Sequence, residues 1–329
     1  MKRRQSISTS LTLVMNELII KTPVTPLTAK PLTLEGGSHG VLLFHGLSSS
    51  PLELQFVARG LQRAGYTVHA PVIPGYTYGL SPTQGDKHST KHSAESWISA
   101  ALKELDWLAE KCKTVSVGGL CIGAVLALRV AALRSARLHS VLALSTALHF
   151  NGWGNPWFTP LLNLARYLPF APRILIREAE PYGLKDERMR AWVKRQMETA
   201  GQSNAGAASL QVRDLLLSRD LIALARQSLP QIKCAALLIH AKEDEIASTK
   251  SSYEVADRIS ASRIHLVVLS NSYHMISIDQ EKDLVIFEIV QFLAQSKVIP
   301  RISLQIQKPS TADKTALSSS LLPDASQYG

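Results

Sequence analysis

Cysteine is scarce in this 329-residue chain, and its three copies, Cys112, Cys121 and Cys234, are an odd number with no metal-ligand spacing. That argues against a disulfide framework and against a zinc site, and it fits a reducing compartment. No apolar run reaches the roughly 18 residues that a membrane-spanning helix needs, so no span is expected. The apolar stretch at 11–20 is interrupted by Asn16 and Glu17 and lacks a small-residue cleavage site. A signal peptide is therefore not expected despite the basic start, and the cytoplasm is the default location. There is no internal repeat. Recognition helices, zinc spacings and RNA-binding aromatic motifs are also missing, so nucleic acid is not an expected partner.

What the chain has in excess is positive charge: 36 lysines and arginines against 26 acidic residues give a formal net charge of +10. Part of it lies at the ends, in Lys2, Arg3 and Arg4 and in Arg301, Lys308 and Lys314. Such a balance suits peripheral contact with an anionic membrane surface or an acidic substrate, or serves solubility alone. Hydrophobic residues at 46% and charged residues at 19% are those of a globular enzyme, in a chain long enough to bury a full-sized core.

The start (1–12) and the end (298–329) are polar and are expected to be disordered. Between them, short β-branched runs alternate with longer amphipathic stretches. Strands are predicted at 41–44, 67–72, 114–117, 140–144, 236–240 and 264–269, and helices at 52–63, 94–111, 122–134, 253–259 and 282–293. This alternation predicts an α/β fold, with a mostly parallel, doubly wound sheet and helices on both faces. The core is expected to comprise 13–146 and 231–297. The interruption at 147–230 is too long for a loop and carries Trp153, Trp157, Phe158, Tyr167, Phe170 and Trp192. It is expected to be an inserted cap over a site, with Trp153, Trp157 and Phe158 touching substrate. The alternative is that these aromatics pack only the insert's own small core.

The strongest local signal is the run Gly119, Leu120, Cys121, Ile122, Gly123, directly after one predicted strand and directly before an Ala/Leu-rich helix. A residue at so sharp a strand-to-helix turn is strained, and small neighbours two positions away let the chain pass itself, as in a nucleophile elbow. The turn presents Cys121 at a helix N-terminus, which favours thiolate over thiol. His274 follows the strand at 264–269 and is the candidate base. Asp244 follows the strand before it and is the candidate acid, with Glu243 and Glu245 as competitors. Cys121, Asp244 and His274 appear in the nucleophile–acid–base order of the α/β-hydrolase fold, each in a loop at the carboxyl end of a strand. In the run His45, Gly46, Leu47, the glycine frees the next amide to point into a site, so the amides of Leu47 and Ile122 are the expected oxyanion hole. His45 reads as scaffold. His39, His69, His139, His149 and His265 lack any such arrangement, and Cys112 and Cys234 read as small buried apolar residues.

From about Lys30 to Leu293 the chain resembles the small bacterial carboxylesterases and monoacylglycerol lipases of the α/β-hydrolase superfamily. The resemblance rests on Lys30-Pro-Leu-Thr-Leu-Glu followed by Val41 to Gly46, and on Tyr273-His274-Met-Ile-Ser-Ile-Asp279 with the Gln-Glu-Lys-Asp that follows. It implies an acid at Asp244, a base at His274 and oxyanion amides at Leu47 and Ile122. The departure is the nucleophile, where that family has serine. Cysteine there is similar to what dienelactone hydrolases, polyhydroxyalkanoate synthases and bile-acid–CoA amino acid acyltransferases use. The intermediate would then be a thioester, which amines and thiols attack readily.

The expected activity is attack on a small-molecule ester or thioester by a Cys-His-Asp triad, as in a carboxylesterase or thioesterase. The acyl group is expected to be medium or long and apolar, because the insert supplies Trp, Phe and Leu rather than charges. An acyl-CoA or acyl carrier protein is compatible as donor, and no metal or organic cofactor is expected. Two alternatives stand beside hydrolysis: transfer of the acyl group to an amine or alcohol, and a non-catalytic relative that binds a ligand in the same pocket.

Overall fold

Val41, Leu42, Leu43 and Phe44 are all buried, although successive side chains of a strand point to opposite faces. Such a run requires a core on each side of it. The computed structural model describes residues 29–78, 93–155, 164–168, 170–200, 202–203 and 206–295, and it contains that two-sided sheet. In chain order the strands are β1 (Leu32–Leu34), β2 (His39–Phe44), β3 (Thr67–Ala70), β4 (Thr114–Leu120) and β5 (Ser140–Leu144). After them come the short β6 (Leu175–Arg177), β7 (Gln202–Ser203), β8 (Gly206–Ala207) and β9 (Ser209–Gln211), and finally β10 (Ala235–Ala241) and β11 (Ile264–Leu269). Seven of these form the main sheet in the order β1-β3-β2-β4-β5-β10-β11. Within it β1 is antiparallel to β3, and the other pairs are parallel.

Alternation along each central strand divides the core. Leu42 and Phe44 of β2, Val141 and Ala143 of β5, and Ala236 and Leu238 of β10 face the helices Ala94–Lys111 and Ile122–Arg134. Val41 and Leu43, Leu142 and Leu144, and Leu237 and Ile239 face the helices Gln55–Arg63 and Lys282–Gln295. Each fully buried aliphatic of this kind contributes roughly 1.5–3 kcal/mol. The helix Ile122–Arg134 is Ala, Leu and Val on nearly every side, as a helix enclosed by others must be. At the start of Ala94–Lys111 the Ser93 hydroxyl accepts the Ser96 amide, and Ser96 returns the contact, closing a capping box.

Several boundaries differ from the sequence expectation, among them β2 from His39, β10 over Ala235–Ala241, and the helices Lys250–Arg258 and Lys282–Gln295. β4 runs on through Gly118, Gly119 and Leu120, because these glycines serve close packing and not a turn: a Cβ on Gly118 would lie 2.8 Å from Leu142. The helix expected at 52–63 opens with a 3-10 turn at Pro51–Leu54. β3 stops at Ala70, two residues short of the expected 72.

Between β5 and β10, β6 pairs with β9 and β7 with β8, and the helix Glu187–Ala200 lies between these strands in sequence. The helix Val212–Ser228 falls within the expected insert, yet Leu221, Ile222 and Ala225 pack into the main core. The described residues belong to one compact unit. A buried carboxylate joins the insert to the loop after β11. Asp279 accepts the amides of Lys185 (3.1 and 3.0 Å), Asp186 (2.9 Å) and Tyr273 (2.8 Å). Beside it the Met275 amide donates to the Gly183 carbonyl at 2.8 Å.

Candidate active site

The loops after β2, β4, β10 and β11 lie at the same end of the sheet and meet around Cys121. Cys121 itself sits between β4 and its helix with φ 59° and ψ −119°. That left-handed conformation is costly for a residue with a side chain, and its surroundings enforce it. The Cys121 amide donates to the Leu144 carbonyl at 3.0 Å. A Cβ on Gly123 would lie 2.2 Å from the Phe44 carbonyl oxygen, and one on Gly119 would lie 2.4 Å from Gly123. Both glycines are therefore fixed by backbone contact.

His274 is buried beside the cysteine, and its Nδ1 donates to Asp244 Oδ2 at 2.7 Å. Neither Glu243 nor Glu245 takes that position. The other Asp244 oxygen accepts the amides of Ile246 (2.9 Å) and Ala247 (2.8 Å), so the carboxylate is held from two sides. A second imidazole shares it, since His240 Nε2 lies 3.2 Å from Asp244 Oδ2 while donating to the Ala247 carbonyl at 2.7 Å. Burial alone would push Asp244 up, yet His274 and His240 hold it well below the usual carboxylate range. For His274, burial pulls downward but is outweighed by Asp244 and Cys121, which hold the imidazole well above its ordinary value. Its Nε2 has no hydrogen-bond partner among the described residues, and the groups that act on the imidazole electrostatically are Asp244 and Cys121.

Leu47 and Ile122 both line the cavity beside Cys121, and neither amide donates to a described residue. The flanking amides are occupied: Gly46 donates to Glu53 Oε1 at 3.0 Å and Ser48 to the Tyr76 carbonyl at 3.2 Å. His45 donates to the Gly46 carbonyl and accepts from Thr77, and burial lowers it to about 4, so it is a neutral part of the scaffold.

The cavity has a volume of about 230 Å³ and is walled mainly by aliphatic residues, Phe150 and methionines. Its polar groups include carboxyls that sequence reasoning did not single out. Glu53 is 1% exposed and is pushed up to about 7 by burial, against the help of Ser49, Gly46 and His274. Glu178, in the insert, is pushed up to about 7 by burial and by Glu245. Glu245, in the sequence a competitor for the acid, accepts the His274 amide at 3.1 Å and leaves Oε1 without a partner. The expectation that the insert brings no charges to the site is thus corrected.

The expected substrate contact of Trp153 is also corrected. Trp153 is 62% exposed, donates to the Glu243 carbonyl and packs on Tyr273, outside the cavity lining. Trp157 and Phe158 lie outside the described residues. Tyr167 and Phe170 face solvent. The histidines read as structural are absent from the cavity, with His39 bonded to Ser116, His69 to Thr33 and Glu104, and His149 to Glu254. Cys112 and Cys234 are buried, and burial pushes Cys234 up to about 11. Among the described residues no three ligating side chains converge as a metal site, and no helix is long and apolar enough to cross a membrane.

Comparison with known proteins shows the family and the fold. A family model described as "Alpha/beta hydrolase family" matches residues 41–286. A carboxylesterase of Bacillus subtilis is 24% identical over 268 residues, covering 81% of this chain and 96% of that protein. A thermostable monoacylglycerol lipase of another Bacillus is 25% identical over 267 residues, covering 81% and 95%. Among solved structures, a metagenome-derived lipolytic enzyme has a TM-score of 0.66 at 26% identity, covering 81% of this chain and 97% of its own. The monoacylglycerol lipase of Paleococcus ferrophilus has a TM-score of 0.66 at 20% identity, covering 82% and 100%, a likeness of fold.

Proposed function

The chain belongs to the alpha/beta hydrolase family, and on that premise we propose that it cleaves a small-molecule ester or thioester with Cys121 as nucleophile. The carboxylesterase and monoacylglycerol lipase relatives support an ester as the bond attacked. One arrangement carries the choice of nucleophile: His274 has Asp244 on Nδ1 and the Cys121 thiol as the neighbour of Nε2. Nε2 takes the thiol proton before attack, Asp244 stabilises the imidazolium so formed, and the sulfur then attacks the carbonyl carbon. The oxyanion rests on the free amides of Leu47 and Ile122, a donor of this type being worth about 3 kcal/mol. Collapse breaks the bond to the leaving group, which takes the proton from His274 and leaves an acyl thioester on Cys121. Water, deprotonated by His274, then releases the acid. Within the insert, the described part from β6 to β9 acts as the cap, lending Ile176, Met197 and Leu210 to an apolar wall, while the helix Val212–Ser228 belongs to the core.

Intact mass spectrometry after mixing with a p-nitrophenyl ester tests this. The mass is expected to rise by one acyl group, and Cys121→Ala is expected to abolish the adduct. An adduct that survives Cys121→Ala, or none at all on the unaltered protein, would overturn the assignment. The second outcome would point to a ligand-binding relative.

Transfer in place of hydrolysis is the second reading, favoured by the apolar cavity wall around a thioester that amines attack more readily than water does. An added amine or alcohol that speeds loss of the adduct distinguishes transfer from hydrolysis. Cys121→Ser shows what the sulfur contributes: fast hydrolysis by the variant marks an esterase slowed by sulfur.

A further inference from the structure

Glu178 and Glu245 approach the cavity from different parts of the chain, one from the insert after β6 and the other from the loop after β10, and both line it beside His274. Their carboxyls are close enough to repel one another, an arrangement a fold retains at a cost unless something satisfies it. Glu245 is 3% exposed, and its Oε1 has no hydrogen-bond partner. The Glu178 carboxyl has neither a hydrogen bond nor an ion pair with any described residue, and the positive group acting on it is His274. Arg177 and Arg219 also line the cavity, but neither pairs with Glu178. The cavity thus carries an acidic wall beside the nucleophile, offset only in part by the His274 imidazole.

We propose that this wall receives a protonated amine, so that the molecule bound beside Cys121 is an amphiphile with an ammonium group held between Glu178 and Glu245. The inference rests on the reading of this cavity as the substrate site. It names an organic cation because, among the described residues, the carboxyls do not converge with a third ligating group as a metal site would. The ammonium supplies a donor to the buried Glu245 Oε1, which lacks one, and others to the half-buried Glu178 carboxyl, and its charge relieves the repulsion between them. Burial and Glu245 raise Glu178 to about 7, and both effects are reversed by a cation at this point. The amine belongs either to the substrate itself or to an acyl acceptor.

The test uses the full-length protein and does not depend on acyl chemistry. Alkylation of Cys121 by iodoacetamide is followed by intact mass at about pH 8, above the Glu178 value of about 7, with n-hexylammonium or 1-hexanol as protectant. Hexylammonium is expected to protect at about tenfold lower concentration than hexanol, the size of one charge-assisted contact. In Glu178→Gln that ratio is expected to fall to about one, and in Glu178→Asp to recover. Equal protection by the two compounds, or a ratio unchanged in Glu178→Gln, would overturn the proposal. Because alkylation needs only an accessible thiol, failure here is distinguishable from failure to form an acyl adduct. Where the adduct forms, preference for an amino-bearing over a neutral p-nitrophenyl ester assigns the amine to the substrate. Faster adduct loss with hexylammonium than with hexanol assigns it to the acceptor, and no response in either measurement overturns the proposal.

Discussion

At the scale of single residues, the position of Cys121 is decided by atoms that are not its own. Its left-handed backbone persists because β4 and the following helix touch through Gly119 and Gly123, whose Cα atoms face carbonyl oxygens of Phe44, His45 and Gly123 itself. Backbone cannot swing aside as a flexible side chain does, so Gly123→Ala meets two carbonyls at 2.2 and 2.3 Å. It is expected to cost about 3 kcal/mol or more, read as a lowered urea midpoint with unchanged slope. This spacing was legible because its chemistry is local. Glu178 and Glu53 were not, since an isolated glutamate in an amphipathic segment looks the same whether it faces solvent or a cavity. Trp153 misled for the converse reason: a large aromatic near a site reads as a contact, whereas here it covers the outside of the loop that holds Asp244.

At the scale of elements, the loop after β11 and the insert share one carboxylate. Asp279 takes amides from Lys185, Asp186 and Tyr273, and these donors have no substitute acceptor if it is removed. Buried donors left unsatisfied cost about 1–3 kcal/mol each, partly recovered where water enters. Asp279→Ala is therefore expected to lower stability by about 2–4 kcal/mol and to speed hydrogen exchange at Lys185, Asp186 and Tyr273 ahead of the strands. Unchanged exchange at these amides would refute the joint. The sequence marked Asp279 as part of a family-like run, but its partners Lys185 and Asp186 lie more than ninety residues away and no spacing rule connects them. Helices at 94–111 and 122–134 and strands at 140–144 and 264–269 were legible to the residue, because each is bounded by its own turn or cap and alternates with a fixed period.

At the scale of the whole molecule, stability depends on protons that the folded state keeps. The folded value of Glu53, about 7, is above the ordinary 4.5, so the native state binds the extra proton between these values. Its contribution is fully present below about pH 4.5 and is lost as pH rises towards 7, at about 1.4 kcal/mol per unit, or about 3 kcal/mol in all. Glu53→Gln keeps an acceptor for the Gly46 amide and removes the ionisation. It is expected to be more stable than the parent by up to about 3 kcal/mol at pH 8 and nearly equal to it at pH 4.5, as urea titrations across that range would report. A constant difference across that range would disprove the burial argument.

The shared carboxylate at Asp279 has a kinetic corollary as well. The stretch at Lys185 and Asp186 and the loop that carries the imidazole hang from the same hook, so any displacement wide enough to break those bonds also slackens the histidine's mooring.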